Sequence, residues 1–134
     1  MVDEPIVLSD EIRHAFATRQ PVVALETSVL SQGLPHPRNL DAAATMSGRI
    51  RSRAAVPAWI GVKDGRIRVG LSDEEVEEFS DPRSTVAKVA RRDYPAAVAG
   101  GGLGATTVSA TLWADIASAR ALVAFSKTSL SCAA

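Results

Sequence analysis

Residues 56–69 contain the feature that most limits the folds open to this chain. An apolar run, Trp59-Ile-Gly-Val62, and a run that alternates arginine with apolar residues, Arg66-Ile-Arg-Val69, flank Lys63-Asp64-Gly65. Asp-Gly favours the type I′ turn, whose positive φ at both central residues matches the twist of two antiparallel strands. The sequence therefore predicts a β-hairpin over this range, and the fold has to build a sheet around it.

Helices are predicted on both sides of the hairpin, because capping residues precede the other apolar periodicities. Their predicted starts are Ser9 (through about Thr18), Asn39 (through about Arg53), Ser72 with Glu75 as a capping box (through about Phe79), Ser84 (carrying Val86, Lys88 and Val89), Asp93, and about Thr107 (through Ala119). Two apolar runs, Val22–Leu25 and Ala121–Phe125, predict buried strands. This mixture of strands and helices indicates an α/β architecture.

Composition argues against several classes of function. The 134 residues carry 15 basic and 15 acidic side chains, so nothing favours binding along a nucleic-acid backbone, and 4% aromatic residues are too few for base stacking. No apolar stretch approaches the roughly 20 residues that span a bilayer, and the acidic start is unlike a signal peptide. The single Cys132 predicts no internal disulfide, and a cytoplasmic location is expected.

One carboxylate, Glu26, lies where the strand Val22–Leu25 gives way to a proline-containing loop. Ligands of open α/β sheets bind outside the carboxyl ends of the strands, and Thr27 and Ser28 follow at once, which favours a reaction site. A partly desolvated carboxylate there suits a general acid. The alternatives are an exposed strand-end side chain or a cap for a neighbouring helix, and position alone favours these.

A glycine-rich segment, residues 100–107, ends in Thr106-Thr107 and leads into the helix predicted from residue 107. Backbone N–H groups at a helix N-terminus, beside two hydroxyls, suit a phosphate group. The segment matches neither common phosphate motif, because no Gly-Lys-Ser/Thr ends it and the third glycine of the dinucleotide fingerprint is absent. A flexible turn between two helices explains the glycines equally well.

Lys88 is one of three lysines and stands among small apolar residues. A lysine in such surroundings can pair with an anionic substrate, whereas the more usual interpretation is a surface lysine whose stem lies along the protein. His14 and His36 lack the spacing of metal ligands. No sequence cluster of Cys, His, Asp and Glu predicts a metal site.

Four motifs, taken in order, resemble the pseudouridine-5′-phosphate glycosidase family, also called the indigoidine synthase A-like family. They are residues 24–37 (ALETSVLSQGLPHP), 56–72 (VPAWIGVKDGRIRVGLS), 88–93 (KVARRD) and 104–111 (GATTVSAT). The resemblance covers roughly residues 5–112. It implies an α/β/α sandwich in truncated form, with the N-terminal part of the family domain at residues 1–125 and an off-pattern tail at residues 126–134.

The resemblance implies an enzyme that reversibly cleaves the C–C glycosidic bond of pseudouridine 5′-phosphate to uracil and ribose 5-phosphate. By resemblance, Glu26 is the proton donor for the base carbon, and Lys88 and Val108 bind the substrate, Val108 through its backbone. Thr106 and Thr107 are substrate-binding candidates in the same turn. The resemblance also implies a divalent metal such as Mn²⁺, a lysine imine formed as the sugar ring opens, a homotrimer and small-molecule partners. Nucleic acid and membrane are not expected as partners, on the composition given above.

The chain departs from the family pattern after the Thr106-Thr107 turn. No Asp or Glu follows Asp115, so the metal-ligand Asp of the family has no counterpart, and Ala105 replaces a Gly that is common in the family. Lys127, the only lysine after Lys88, lacks the surroundings of the imine-forming lysine. These departures leave an alternative open, namely a truncated, non-catalytic remnant that binds sugar phosphate or associates with full-length subunits.

Overall fold

The computed structural model describes residues 5–118, which form a mixed β-sheet with helices on both faces. In chain order the elements are β1 (Ile6–Leu8), α1 (Asp10–Ala17), β2 (Val22–Glu26), a π-helical turn (Val29–Gly33), α2 (Arg38–Arg51), β3 (Val56–Lys63), β4 (Arg66–Val69), α3 (Asp73–Ser80), β5 (Val86–Val89), a 3-10 turn (Arg91–Asp93), α4 (Tyr94–Gly100) and β6 (Leu103–Thr106). A further helix, α5, occupies residues 108–118, up to the end of the described range.

The predicted hairpin is confirmed and forms the centre of the sheet. Asp64 and Gly65 both have positive φ, 52° and 71°, as a type I′ turn requires, and Lys63 pairs with Arg66 across the turn. β3 is buried on both faces, which explains its nearly continuous apolar sequence. The parallel strand β1 joins the outer edge of β4, so the first strand of the sheet also depends on the hairpin.

Two strands share the other edge of β3 and meet end to end on it. β2 runs parallel to β3, and its last pair is Glu26 with Ile60; β6 runs antiparallel and pairs Ala105 with Gly61. Because the two strands approach from opposite directions, their carboxyl ends face each other at this point. β5 pairs in parallel with the outer edge of β6. The strand ends beside which α/β proteins bind ligands are therefore brought together from two distant parts of the chain.

Alternate residues of β3 face two separate cores, one on each side of the sheet. The even-numbered positions, from Val56 to Val62, pack against α1, α4 and α5. Trp59 and Gly61 face α2, α3 and the π-helical turn. The helical side chains of the first core are Ile12, Ala15, Tyr94, Ala110 and Ala114, and those of the second are Leu30, Ala43, Val76 and Phe79. Helices thus cover both faces, and the predicted α/β/α sandwich is confirmed.

Most predicted helix starts are confirmed. Ser9 caps α1 by accepting a hydrogen bond from the Ile12 amide, and Ser72 forms with Glu75 the reciprocal capping box of α3. α4 and α5 also begin near the predicted positions, at residues 94 and 108. Among residues 5–118, no helix has the length and apolar character needed to cross a bilayer.

The predicted cap at Asn39 is wrong, because α2 already begins at Arg38. Asn39 is buried, and its amide group donates to the carbonyl oxygens of Leu30 and Ser80, at 2.9 and 2.8 Å. These bonds join α2 to the π-helical turn and to the end of α3. A residue that suits a cap in the sequence serves here as a tertiary hydrogen-bond donor.

The helix predicted from Ser84 is also wrong, since Val86–Val89 forms strand β5. A short apolar run does not by itself distinguish helix from strand, and pairing with β6 decides the matter. Sequence patterns predicted no strand after β4 among the described residues, so β5 had no expected partner.

Strand β6 (Leu103–Thr106) lies within the glycine-rich segment, for which a phosphate-binding loop and a flexible turn between two helices were the expected alternatives. A Cβ atom on Gly104 would lie 2.7 Å from Val89 Cγ2 and 3.1 Å from Val62 Cβ, so the neighbouring strands leave room for glycine alone. The segment is therefore a strand that turns into α5 at Thr107. The strand predicted at 121–125 and the boundary predicted after residue 125 lie outside the described residues.

Candidate active site at the junction of β2 and β6

Glu26 ends β2 at the junction and is half-buried, with its backbone paired to Ile60. Strand alternation places its side chain on the face shared by Val22 and Ala24, toward the core that includes α1, α4 and α5. Within residues 5–118 its carboxylate has neither a hydrogen-bond nor an ion-pair partner. A carboxylate held at a strand end without such a partner is free to meet a ligand, as a general acid must be.

Thr27, the next residue, is fully buried and links both strand ends through one hydroxyl. Its Oγ1 donates to the carbonyl oxygen of Ile60 at 2.7 Å and accepts the amide of Thr106 at 2.8 Å. The first bond holds the end of β2 against β3, and the second holds it against the end of β6. The position of Glu26 relative to β6 is therefore set at the adjacent residue.

Thr106 makes a matching set of bonds from the other strand. Its buried hydroxyl donates to the same Ile60 oxygen at 2.7 Å and lies 3.0 Å from the hydroxyl of Thr111 on α5. Each hydroxyl has one proton, so the proton between Thr106 and Thr111 belongs to Thr111. The 3.4 Å contact between Oγ1 of Thr27 and Oγ1 of Thr106 then lacks a proton, because both hydroxyls donate to the Ile60 oxygen. The Thr106 hydroxyl is thus committed to the protein beneath the site.

The turn between β6 and α5 brings Thr107 and Val108 toward the surface. The Thr107 amide donates to the carbonyl oxygen of Val89 at 2.9 Å, which holds the turn against β5. Val108 is 59% exposed, and the hydroxyls of Thr107 and Ser109 lie 3.3 Å apart. The first amides of a helix have no acceptor within the helix, so this turn offers backbone donors to an anion.

Lys88 lies near the junction but on a different face. It is exposed on β5 and pairs with Ala105, the residue before Thr106. Alternation places Lys88 on the face of Val86, which packs with the α2–α3 core, whereas Glu26 faces the opposite core. The described residues provide its ammonium group with no hydrogen bond or ion pair. The structure thus joins Glu26 with the Thr106–Val108 turn and leaves Lys88 at the edge.

Two surface depressions lie away from this junction, between the loop before α2 and the connection from α3 to β5. Their volumes are about 210 and 320 Å³, and His36, Asp81 and Pro82 line both of them. Hydrogen bonds from Arg83 lower the pKa of Asp81 to about 2, so this carboxylate is held in an ion pair. Neither depression contains a predicted site residue.

The described residues do not fit the divalent metal that the resemblance implies. No group of three or more His, Cys, Asp or Glu side chains comes close enough within residues 5–118 to hold a metal ion. Asp115, the last acidic residue of the chain, lies on α5. Within residues 5–118 it belongs to no group of three His, Cys, Asp or Glu side chains that could hold a metal ion. The roles proposed for this site are therefore confined to side chains and backbone groups of the chain.

The family model of indigoidine synthase A like proteins matches residues 11–129. This match covers most of the chain and includes every predicted site residue. The chain belongs to the indigoidine synthase A-like family. The resemblance inferred from the four sequence motifs is thereby confirmed.

Relatives of this family member carry a more specific name. Proteins named pseudouridine-5′-phosphate glycosidase are similar to it from Glaesserella parasuis, with 46% identity over 107 residues, and from Streptomyces griseus, with 50% identity over 109 residues. These alignments cover 80% and 81% of this chain but 35% and 33% of the relatives. The chain thus spans about a third of the length of the curated relatives it matches.

Two solved structures of similar proteins share its fold. The prealnumycin C-glycosynthase AlnA, in complex with ribulose 5-phosphate, gives a TM-score of 0.72 at 40% identity over 84% of this chain and 35% of its own. An indigoidine synthase A-like protein from Thermotoga maritima gives a TM-score of 0.71 at 32% identity over 84% and 37%. Both confirm the α/β fold of this family member.

Two threonines of this family member have a role that the sequence did not predict. Thr27 was notable only as a neighbour of Glu26, and Thr111 had no expected role. Their positions became meaningful through β6, because Thr106 at its end contacts both hydroxyls. A polar residue directly after a buried strand was the available signal for Thr27.

Proposed function

We propose that the junction of β2 and β6 carries the proton donor and the substrate-binding turn of a pseudouridine-5′-phosphate glycosidase. The reaction is the reversible cleavage of the C–C glycosidic bond of pseudouridine 5′-phosphate to uracil and ribose 5-phosphate. The observation that carries the proposal is the end-to-end meeting of the two strands. It places Glu26 beside the Thr106–Val108 turn in a chain whose relatives bear that enzyme name.

Glu26 acts as the general acid. A C-glycoside has no heteroatom leaving group, so the electron pair of the breaking C–C bond stays on the base carbon, which takes the proton of the carboxyl group. The location of Glu26 supports this role, since the carboxylate is half-buried and has no protein partner among the described residues. In the reverse direction the same group removes the proton from the base carbon.

The sugar carbon becomes electron-poor when the C–C bond breaks, and the resemblance implies that a lysine amine relieves this by covalent catalysis. The amine adds to the sugar carbon as the ring C–O bond opens, C–C cleavage leaves an imine on the sugar, and water hydrolyses that imine to release ribose 5-phosphate. Of the three lysines, Lys63 is paired with Glu78, and Lys88 is assigned to the substrate. Lys127, the remaining lysine, lies outside the described residues. The nucleophile is therefore the part of the proposal that rests on the family alone.

The phosphate group of the substrate meets the turn before α5. The amides at the start of α5, including that of Val108, supply uncommitted donors at the positive end of the helix. Lys88 adds a cation from the neighbouring strand β5, and its flexible stem allows the ammonium group to approach the strand end. Thr107 contributes an accessible hydroxyl, whereas Thr106 supports the turn from below.

The partners proposed for the site are small molecules, namely the nucleotide, uracil and ribose 5-phosphate. A homotrimer and Mn²⁺ as the metal remain proposals that follow from the resemblance, and a cytoplasmic location remains a proposal that follows from the cysteine content of the sequence. The metal would require ligands beyond the described residues, because residues 5–118 contain no suitable group.

Uracil release from pseudouridine 5′-phosphate, with and without Mn²⁺, tests the proposed function. We expect turnover by the wild-type chain, and a loss of roughly 100-fold or more in kcat for Glu26→Gln, which keeps the size of the side chain and removes its acidic proton. Glu77→Gln, an exposed change on α3, is the matched control and should leave turnover unchanged. Turnover that survives Glu26→Gln would contradict the role of Glu26.

A second candidate function is binding of sugar phosphate without catalysis. It is favoured by one observation: the described residues contain a candidate acid and an anion-binding turn, but of their two lysines Lys63 is paired with Glu78 and Lys88 is already assigned to the substrate. Calorimetric titration of the chain with ribose 5-phosphate, together with the uracil-release assay, distinguishes the two functions. Binding without uracil release supports this second candidate, and binding with release supports the glycosidase.

A further inference from the structure

We propose that Thr27 is a positioning residue for this reaction, whose hydroxyl sets Glu26 against the turn at Thr107–Val108. The inference rests on the proposed function and adds a residue to the same site. Because Thr27 is fully buried, it touches neither substrate nor reacting atoms. It acts through the residues on either side of the junction.

The junction has no main-chain ladder of its own. β2 and β6 lie in line on one edge of β3, so their backbones are not side by side and cannot pair as neighbouring strands do. Among the described residues, the hydrogen bond that joins the two strand ends directly runs from the Thr106 amide to the Thr27 hydroxyl, at 2.8 Å. At this point a hydrogen bond to one side chain takes the place of the main-chain hydrogen bonds that join neighbouring strands.

The same hydroxyl also fixes the junction to the centre of the sheet. It donates to the carbonyl oxygen of Ile60, which accepts the Thr106 hydroxyl as well, so three strands converge on one oxygen atom. The β-carbon branching of Thr27 restricts its rotamer, and burial prevents water from replacing either partner. The distance from Glu26 to the turn is consequently held by a rigid contact.

This role makes a distinctive kinetic prediction. Loss of the hydroxyl leaves the buried Thr106 amide without its acceptor and loosens the two strand ends. Proton transfer depends steeply on distance, and a shift of about 1 Å costs roughly 100-fold in rate. The phosphate-binding groups lie on β5 and on the turn beyond Thr106, so binding should change much less. The effect should therefore appear in kcat.

The test measures kcat and KM for uracil release in three variants. Thr27→Val keeps the shape of the side chain and removes the hydroxyl, and we expect kcat to fall roughly 100-fold with KM within about threefold. Thr27→Ser keeps the hydroxyl and should retain kcat within about threefold. Ser80→Ala removes another buried hydroxyl, one that bonds only to the Val76 carbonyl oxygen within α3, and should behave like wild type.

The outcomes separate this inference from the proposed function. A wild-type chain that turns over, with Thr27→Val as active as Ser80→Ala, overturns the positioning role alone. A loss of kcat in Thr27→Ser as large as that in Thr27→Val also overturns it, because the packing of the methyl group, and not the hydroxyl, would then determine the rate. If Thr27→Val does not fold, Thr27→Cys takes its place, since a thiol is a weak donor and acceptor of similar size. A wild-type chain without turnover contradicts the proposed function, and the positioning role with it.

Discussion

The amide of Thr106 donates to the hydroxyl of Thr27 across 2.8 Å, although the two residues are 79 positions apart in the chain. This bond unites two motifs that are separate in the sequence, one around Glu26 and one around the Thr106-Thr107 turn. It is possible because β2 and β6 end at the same point of β3, at Ile60 and Gly61. The candidate site is a property of this junction more than of either motif.

Gly61 gives a direct test of the packing beneath the site. A Cβ at this position would lie 2.8 Å from Cζ of Phe79, so Gly61→Ala should lower the free energy of unfolding by about 1–3 kcal/mol through overpacking. Gly48→Ala is the matched control, because the added carbon would meet no atom within 4 Å outside the adjacent backbone of its own helix, and the site is an exposed helix position. It should raise stability by up to about 1 kcal/mol.

Thermal and urea unfolding of the two glycine variants measure this difference. Equal effects of the two substitutions would contradict the close contact between β3 and α3. The comparison is informative because both changes add the same methyl group, and only the surroundings differ.

The ion pair between Asp81 and Arg83 predicts a dependence of stability on acid. Hydrogen bonds from Arg83 lower the pKa of Asp81 from 3.8 to about 2. Because the folded-state pKa lies below the unfolded value, the stabilisation is present above about pH 4 and is lost as the pH falls toward 2. We expect Asp81→Asn to flatten the stability curve in this range, by a small amount because the pair is exposed and screened by salt.

Urea unfolding of wild type and Asp81→Asn between pH 2 and 5 provides the check, with a repeat at high salt. The wild-type curve should fall more steeply with acid than that of the variant, and salt should narrow the gap. Parallel curves at low salt would contradict the ion pair.

Lys88 tests the anion-binding side of the proposal. A charge-assisted contact is worth about 1.5–3 kcal/mol, so Lys88→Gln should weaken ribose 5-phosphate binding by about tenfold or more, and less at high salt. Arg53→Gln removes an exposed cation beyond the end of α2 and is the control. Calorimetric titration measures both affinities. Equal affinities in the two variants would exclude Lys88 from the site.

Local features of the fold were predictable because their causes are local. The hairpin depends on Asp64-Gly65, and the capping box depends on Ser72 and Glu75, each within a few residues. The α/β/α class followed from the resemblance and from the mixture of strands and helices. Glu26 was recognisable because it directly follows a buried apolar run.

The parts that escaped prediction depend on contacts between distant residues. β6 was not predicted, because glycine is typical of turns. Glycine occupies position 104 because the side chains of Val62 and Val89 leave no room for a Cβ atom. Without β6, strand β5 had no partner, and Val86–Val89 was assigned to a helix. The contact between Thr27 and Thr106 was equally out of reach, because it requires two strands to end at one place.

The most direct test of the central claim is the nuclear magnetic resonance of the ¹⁵N-labelled chain during titration with ribose 5-phosphate. If the junction of β2 and β6 is one site, the backbone amides of Glu26, Thr107 and Val108 should shift together and fit a single Kd. Amides around His36 and Asp81, in the depressions on the other part of the surface, should stay in place. Shifts confined to those depressions, or none at the junction at saturating ligand, would contradict a single site at the junction.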